Sequence, residues 1–222
     1  FRLTKAGSGA LTLSGANAFT GGTTLNAGTL NINNSNALGA VGGTFTIAGG
    51  TIDNATGGSI TTLNYPQAWN GDFTFAGTQD LNLGAGAVTI NANRQVTVNS
   101  NTLSVGGTVS PAFNFTKAGG RILSFGSNTV TVNGLTISAG TLTSTSGTLN
   151  IGGNFANSGT FNNNGGTVNY NGAAAQNIAP VTYNNLTISG AGQKNATGTV
   201  NVTTLLNVIV GSVLDMAGNT LS

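Results

Sequence analysis

Short triplets of an apolar, a polar and again an apolar residue recur along the whole chain, often about seven residues apart. Alternation with a period of two places both apolar side chains on one face of a β-strand. Gly or Asn commonly stands between triplets, and both tolerate the left-handed backbone of a sharp corner. The clearest triplets are Leu11-Thr-Leu13, Leu30-Asn-Ile32, Phe45-Thr-Ile47, Phe73-Thr-Phe75, Val88-Thr-Ile90, Val130-Thr-Val132, Leu149-Asn-Ile151 and Leu186-Thr-Ile188.

Strands this short, with corners this close, favour an all-β, right-handed parallel β-helix, because a flat sandwich would use strands of about five or six residues. Three arms of about seven residues make a coil of about 21, which predicts about ten coils stacked at the spacing of neighbouring strands. We expect no helix, because Gly, Thr and Asn, which make up nearly half of the chain, are poor helix formers. The hydrophobic share of 38% is too high for a disordered chain. No linker divides residues 1–222, so one continuous β-solenoid is predicted.

The chain also repeats itself after 112 positions. Residues 1–7 are echoed by residues 113–119, both of which contain Thr-Lys-Ala-Gly. Residues 22–30 are echoed in the same way by residues 134–142. Self-similarity at a fixed offset indicates an array of stacked units, and it predicts two similar halves, about 1–112 and 113–222, of about five coils each.

Neither end of the chain looks like a polar cap, although an open β-helix exposes unpaired strand edges there. We therefore expect the solenoid to continue, either into further repeats of a longer chain or by end-to-end stacking of copies. The predicted contact residues are Phe1, Leu3 and Leu221. A start at Phe1 instead of Met also suggests a processed or excised piece.

Residues 63–69 and 173–180 interrupt the triplet rhythm and are predicted to be loops that bulge from the solenoid. The first contains Tyr65 and Trp69, whose rings could stack on a sugar and so contact a glycan. The alternative, which we favour, is a lid packed over the side of the solenoid.

Residues that carry catalytic or metal chemistry are scarce. The chain has no His and no Cys, and its acidic residues are Asp53, Asp72, Asp80 and Asp215. Asp53 and Asp72 are 19 positions apart, close to one coil, so they could stack beside Arg94 as a catalytic pair. The alternative, which we favour, is that they are solvated surface residues. We expect no cofactor and no metal. Basic residues are too scattered for nucleic-acid binding, and no apolar run reaches the roughly 18 residues of a membrane span.

Outward polar rows are the remaining candidate sites. Thr residues two apart would line up hydroxyls on a flat face, which could order water or bind ice; the alternative is that Thr is simply a good strand residue. These rows are Thr44/Thr46, Thr129/Thr131 and Thr141/Thr143/Thr145. Corner Asn residues could stack as amide ladders, for example Asn31, Asn33 and Asn34, or Asn162, Asn163 and Asn164.

Residues 9–32, which contain Gly21-Gly-Thr-Thr24 and Ala27-Gly-Thr-Leu30, resemble the autotransporter-associated β-strand repeat. That resemblance implies export, a β-helical passenger region and a role at or beyond the bacterial cell surface. The function it predicts is a non-enzymatic extracellular stalk, adhesin segment or filament subunit. The first alternative is a carbohydrate- or ice-binding module that uses an outer Thr/Asn face, with surface glycans as partners. A polysaccharide-cleaving enzyme is a second alternative, disfavoured by the few carboxylates.

Overall fold

The computed structural model describes residues 1–222, and its regular elements are 28 short β-strands without any helix. In chain order the first fourteen are β1 Leu3–Lys5, β2 Ala10–Leu13, β3 Thr23–Leu25, β4 Thr29–Ile32, β5 Phe45–Ile47, β6 Thr51–Asp53, β7 Ile60–Thr61, β8 Gln67–Trp69, β9 Phe73–Phe75, β10 Leu81–Asn82, β11 Val88–Ile90, β12 Arg94–Val98, β13 Thr102–Val105 and β14 Val109–Ser110. The others are β15 Phe115–Ala118, β16 Ile122–Phe125, β17 Val130–Val132, β18 Leu135–Ile137, β19 Thr141–Thr143, β20 Thr148–Ile151, β21 Phe155–Asn157, β22 Thr160–Asn162, β23 Thr167–Tyr170, β24 Gln176–Ile178, β25 Thr182–Ile188, β26 Gln193–Ala196, β27 Asn201–Val208 and β28 Val213–Asp215.

The strands form parallel sheets that run along the length of the molecule. The first sheet has eleven strands, from β1 to β27. The second has eight, from β2 to β21, and the three-stranded fourth sheet of β24, β26 and β28 lies next to β21. The third sheet has six strands, from β7 to β22. In the middle of the molecule the chain visits the first, second and third sheets in turn, which is a right-handed parallel β-helix of about eleven turns. The predicted fold is confirmed, with about one turn more than expected.

The triplets point their apolar residues inward, as the alternation predicted. In β5, for example, Phe45 and Ile47 are buried while Thr46 between them is partly exposed. The buried apolar side chains form a single core cluster of 41 residues that reaches from Leu25 to Val200. Each coil covers the core of the previous one, so stacking stabilises the fold and no single coil encloses a core of its own. The structure contains no helix that is long and apolar enough to cross a membrane.

The length of a coil varies along the chain. The coil that leads from Val168 to its register partner Leu186 is shorter than the one that leads from Thr51 to Thr74. Corners therefore absorb the extra residues of the longer coils while the strands stay in register. This variation decides which polar side chains lie side by side on the surface.

The offset of the sequence repeat is not a whole number of turns. Following the register of the first sheet for five turns leads from Leu3 to Val109. The residue that follows Leu3 by the 112 positions of the repeat is instead Phe115, which lies in β15 of the second sheet. The repeated sequence thus encodes a strand, its corner and the next strand, and the second copy is rotated onto the neighbouring face.

Candidate functional site

Tyr65 and Trp69 are in the core, so the predicted bulging loop is wrong, both with a glycan contact at these rings and with the favoured lid over the side of the solenoid. Gln67–Trp69 is strand β8 of the first sheet, between β5 and β11. Trp69 is fully buried, with its ring centroid 5.2 Å from that of Phe73, and its Nε1 donates to Gln67 Oε1 at 3.1 Å. Tyr65 is also buried, and its hydroxyl donates to the Gly39 carbonyl at 2.9 Å. Burial raises the pKa of Tyr65.

Residues 66 and 173–180, which were also predicted to lie in loops, are close to or within strands. Pro66 immediately precedes β8, a position where a missing backbone N–H is tolerated. Residues 173–180 contain strand β24, Gln176–Ile178, so only part of that segment is irregular. Gln67 and Gln176 are buried with their side chains hydrogen-bonded, which explains how amides fit inside this otherwise apolar core.

Asp53 and Asp72 do not form a carboxylate pair. Thr51 is in register with Thr74, so Asp53 is displaced along the strands by four positions from Asp72. Asp53 is buried and accepts hydrogen bonds from the backbone N–H and the hydroxyl of Thr78, at 2.8 and 2.6 Å. These bonds fix a corner, so Asp53 is a structural acceptor and not the solvated residue that the favoured alternative described.

Asp72 lies next to Arg94, but as the solvated surface residue that the favoured alternative described. Asp72 is exposed, its Oδ1 accepts a hydrogen bond from the backbone N–H of Gln95 at 2.8 Å, and it lies 4.0 Å from Arg94 Nη1. The Arg94 guanidinium donates mainly to the carbonyls of Trp69, Asn70 and Asn93. One acid next to a fully engaged guanidinium lacks the second carboxylate that glycoside hydrolysis commonly requires.

The outward threonines form short and interrupted files. The longest run of threonines in register crosses four strands of the second sheet: Thr29, Thr51, Thr74 and Thr97. On the first sheet, the file through Thr46 and Thr131 also contains Ala68, Ser110 and Asn150. Most of the predicted threonines therefore lie on the surface, in files that Ala and Asn residues interrupt. The prediction is wrong for Thr145, which is fully buried and whose hydroxyl donates to the Asn128 carbonyl at 2.6 Å.

An open groove of about 650 Å³ runs along the outer face of the second sheet. We call it the asparagine groove, and its lining includes Asp72, Asn93, Gln95, Asn114, Thr116 and Asn154. Phe115 pairs in register with Arg94 and Leu135, and Leu135 pairs with Phe155. One position before these four partners stand Asn93, Asn114, Gly134 and Asn154. They therefore line up in one file, with one residue from each coil.

The amide oxygens of this file are held by the next coil. Asn93 Oδ1 accepts from the backbone N–H of Asn114 at 3.0 Å, and Asn114 Oδ1 accepts from that of Gly134 at 2.9 Å. Asn154 Oδ1 accepts from the backbone N–H of Asn177 at 2.8 Å. All three residues are exposed, and in each the Nδ2 group makes no hydrogen bond within the protein.

Amide-to-amide contacts are fewer than the sequence suggested. Asn133 Nδ2 donates to Asn114 Oδ1, and Asn169 Nδ2 donates to Asn150 Oδ1. The predicted ladders at residues 31–34 and 162–164 instead hold the neighbouring coil through other groups: Asn34 Nδ2 donates to the Ser14 carbonyl and Asn164 Nδ2 to the Ser144 carbonyl.

Buried lysines are a feature that the sequence analysis missed. Lys117 is fully buried, and its Nζ donates to the carbonyls of Ala118, Gly119 and Ala139 at 2.8, 2.7 and 3.1 Å. Ala139 is in the next coil, so the ammonium joins two turns. We call this arrangement a lysine clasp.

The same clasp occurs at Lys5, whose Nζ donates to the carbonyls of Ala6, Gly7 and Ala27. Gly28 is required beside it, because a Cβ there would lie 2.5 Å from Lys5 Nζ. Lys194 forms a related clasp with the carbonyls of Gly172 and Gly192. The repeated Thr-Lys-Ala-Gly was the available signal, since a lysine repeated on an inward strand position needs buried acceptors.

Burial lowers the pKa of Lys117 to about 8 and also lowers the pKa of Lys194. The three carbonyls around Lys117 oppose that shift, because only the ammonium form has three hydrogens to donate. Lys117 is therefore mainly charged at neutral pH, without any acidic partner.

Comparison with known proteins agrees with the resemblance seen in the sequence. No curated protein and no solved structure matches this chain. A family model described as the passenger-associated-transport-repeat matches residues 3–32. That segment spans β1 to β4 and includes the whole Lys5 clasp. The expected autotransporter-associated repeat is thus confirmed in the first coil and a half of this chain.

Proposed function

We propose that this chain is a non-enzymatic structural segment of a bacterial surface protein, acting outside the cell as a stalk, adhesin segment or filament subunit. Its role is mechanical, because it holds whatever lies at its two ends at a fixed separation. Eleven turns at the strand spacing of about 4.8 Å give a rod roughly 50 Å long.

The observation that carries this proposal is the uninterrupted core. All 41 buried apolar residues belong to one cluster, and the first sheet is hydrogen-bonded from β1 to β27 without a break. A molecule without a hinge between cores transmits force along its axis through every strand pair. The passenger repeat at residues 3–32 supports a surface-associated repeat protein.

The exterior also fits a spacer better than an enzyme. Charged residues are only 5% of the chain, and the structure contains a single ion pair, Arg94–Asp72. Outward positions carry mostly Thr, Ser and Asn. Short strands with hydrogen-bonded corners leave few extended segments for a protease, which suits a chain exposed to the surroundings of the cell.

The ends support association with further coils. Phe1 is 84% exposed, Leu3 is partly buried and Leu221 is 43% exposed. Strands β1 and β27 each leave one edge of the first sheet without a partner. We propose that another coil pairs with these edges, supplied by a second copy or by neighbouring repeats of a longer chain.

Electron micrographs of the native surface, with gold-labelled antibody against this segment, would test the structural role. Labelling at a fixed distance from the cell envelope is expected for a stalk, and labelling along fibres is expected for a filament. Uniform labelling of released, isolated particles would contradict both. Light scattering of the purified chain would test end-to-end stacking, which a strictly monomeric species would rule out.

The enzymatic alternative has a separate test. Purified protein is expected to leave soluble polysaccharides uncleaved over long incubation, as judged by the release of reducing ends. Cleavage that disappears in Asp72→Asn would overturn the non-enzymatic assignment, and the fold would then support catalysis at the asparagine groove.

A further inference from the structure

The asparagine groove presents hydrogen-bonding groups whose orientation is already fixed. Because Asn93, Asn114 and Asn154 each use Oδ1 to accept from the next coil, their Nδ2 groups are left free for a ligand. The hydroxyls of Thr116 and Thr136 lie in the same groove and also make no hydrogen bond within the protein. A preorganised set of groups binds with a smaller entropic cost than flexible side chains do.

The charge of the groove argues for a neutral ligand. Asp72 and Arg94 are its charged residues, and they lie 4.0 Å apart with opposite sign. The guanidinium already donates to several oxygens of the neighbouring corner, the Trp69 and Asn70 carbonyls among them. The groove therefore has no free cation with which to bind phosphate or sulfate groups.

The geometry also argues against a peptide. An extended peptide binds most strongly to a sheet edge, where backbone N–H and C=O groups are free. The groove lies instead on the face of the second sheet, whose strands β12, β15 and β18 are paired on both sides. Only side chains are offered there, namely amides that donate and hydroxyls that both donate and accept.

A chain of sugar residues has the matching chemistry. Its hydroxyls donate and accept, and they recur along the chain as the amides recur from coil to coil at about 4.8 Å. Gly134 stands in the asparagine file between Asn114 and Asn154, where a Cβ would lie 3.0 Å from Asn114 Oδ1, so a larger residue there would disturb that amide. We propose that the asparagine groove binds a neutral oligosaccharide that lies along the axis of the rod.

This binding would be weak for a single site. No aromatic ring lines the groove, so the ligand gains no stacking contact and depends on hydrogen bonds alone. Useful affinity would come from many copies along a surface, through multivalency. The proposal goes beyond the structural role, and its failure would leave that role unaffected.

The test is a titration of the intact chain followed by the side-chain amide signals of Asn93, Asn114 and Asn154 in NMR spectra. The probes are a linear neutral glucan hexasaccharide, its sulfated derivative and an uncharged peptide of similar length. We expect saturable shifts of these amides with the neutral glucan only. Absence of saturation up to roughly 10 mM, or preference for the sulfated glucan or the peptide, would overturn the proposal.

Matched variants locate the site. Thr116→Val with Thr136→Val removes two free hydroxyls without changing side-chain volume, and should weaken binding by about tenfold, since each lost hydrogen bond contributes modestly. The control is Thr131→Val with Thr143→Val, equally half-buried outward positions on the first and third sheets. Equal weakening in both double variants, with unchanged thermal unfolding, would show that binding is not in the groove.

Discussion

Ile188 and Val208 occupy the same inward position on successive strands of the first sheet, yet their environments differ completely. They are register partners in β25 and β27, but Ile188 is fully buried and Val208 is 44% exposed. The strand that carries Val208 is the longest in the molecule, with eight residues. Strand length and alternation therefore do not bury a side chain in this fold; the next coil does.

The same contrast extends over the whole last turn. Val202 and Leu206 are only partly buried, although their register partners Tyr183 and Leu186 are fully buried. Leu205 and Val213 are exposed because they pair with the outward residues Asn185 and Gln193. Substitutions should consequently be costly in the middle and nearly neutral in the last coil, even where the sequences look alike. Pairs of matched substitutions can test this gradient.

The largest difference is expected for core truncation. Trp69→Ala removes a fully buried ring that packs on Phe73 and Phe115, and it should lower the free energy of unfolding by about 3–5 kcal/mol. Val210→Ala, at a side chain that is fully exposed, should change it by less than about 0.5 kcal/mol. Equilibrium urea unfolding measures both, and similar losses in the two variants would contradict the comparison.

Corner glycines provide the next pair. Gly77 has φ of +79°, and a Cβ there would collide with the carbonyl oxygen of Ser100 in the next coil. Gly77→Ala should cost about 2–5 kcal/mol, from the left-handed backbone together with displacement of that coil. Gly211 has a similar φ of +86° but nothing within 4 Å of a Cβ, so Gly211→Ala should cost only about 1–2 kcal/mol.

The difference between the two glycine variants isolates the contribution of the neighbouring coil, because the backbone strain is common to both. Their unfolding midpoints in the same urea titration give this difference directly. Equal midpoints would mean that the coil next to Gly77 shifts without cost.

The fold was predictable because it depends on local alternation, which is visible in triplets such as Phe45-Thr-Ile47. The surface was less predictable, because it depends on register between coils. A coil of constant length would have brought Asp53 close to Asp72, but the longer coil from Thr51 to Thr74 moves them apart. Asn93, Asn114 and Asn154 line up because the coils that separate them have 21, 20 and 20 residues, close to the predicted coil, so this file was within reach of the sequence but was not recognised.

Trp69 was misassigned, and the burial of Lys117 was missed, for a different reason. Pro66 suggested a loop although it only precedes a strand, and charged lysines are expected at the surface. The acceptors that allow Lys117 to be buried are backbone carbonyls, which every residue has and which a sequence does not distinguish. Only the echo of Thr-Lys-Ala-Gly in the second half of the chain hinted that these lysines share a structural role.

The lysine clasps give a smaller contrast between middle and end. Lys117→Met leaves three carbonyls without their donor in a central coil and should cost about 2 kcal/mol. Lys5→Met removes the same three bonds from the first coil, which is covered on one side only, so local fraying should limit the cost to under about 1 kcal/mol. Hydrogen exchange distinguishes the two, with faster exchange confined to the first coil in Lys5→Met and spread over central strands in Lys117→Met.

The smallest expected effect is the pH dependence of the Lys117 clasp, and its sign is specific. Burial lowers the pKa of Lys117 to about 8 in the folded chain, against about 10.4 when unfolded. Between these values the unfolded chain binds more protons, so the contribution of Lys117 to the free energy of unfolding rises as pH increases from 8. This contribution of Lys117 is lost as pH falls through 8, because the folded chain then also carries the buried ammonium charge.

The measurement is the free energy of unfolding of the wild type minus that of Lys117→Met, between pH 7 and about 9.5. Above that range the buried Tyr170 and Tyr183, whose pKa values burial raises, ionise on unfolding and destabilise the folded chain, but they do so in both proteins and cancel in the difference. A difference that increases with pH is expected, because Lys194 titrates equally in both proteins and cancels. A difference that decreases would mean that the three carbonyls stabilise the ammonium more than burial destabilises it, and that the clasp is strongest when charged.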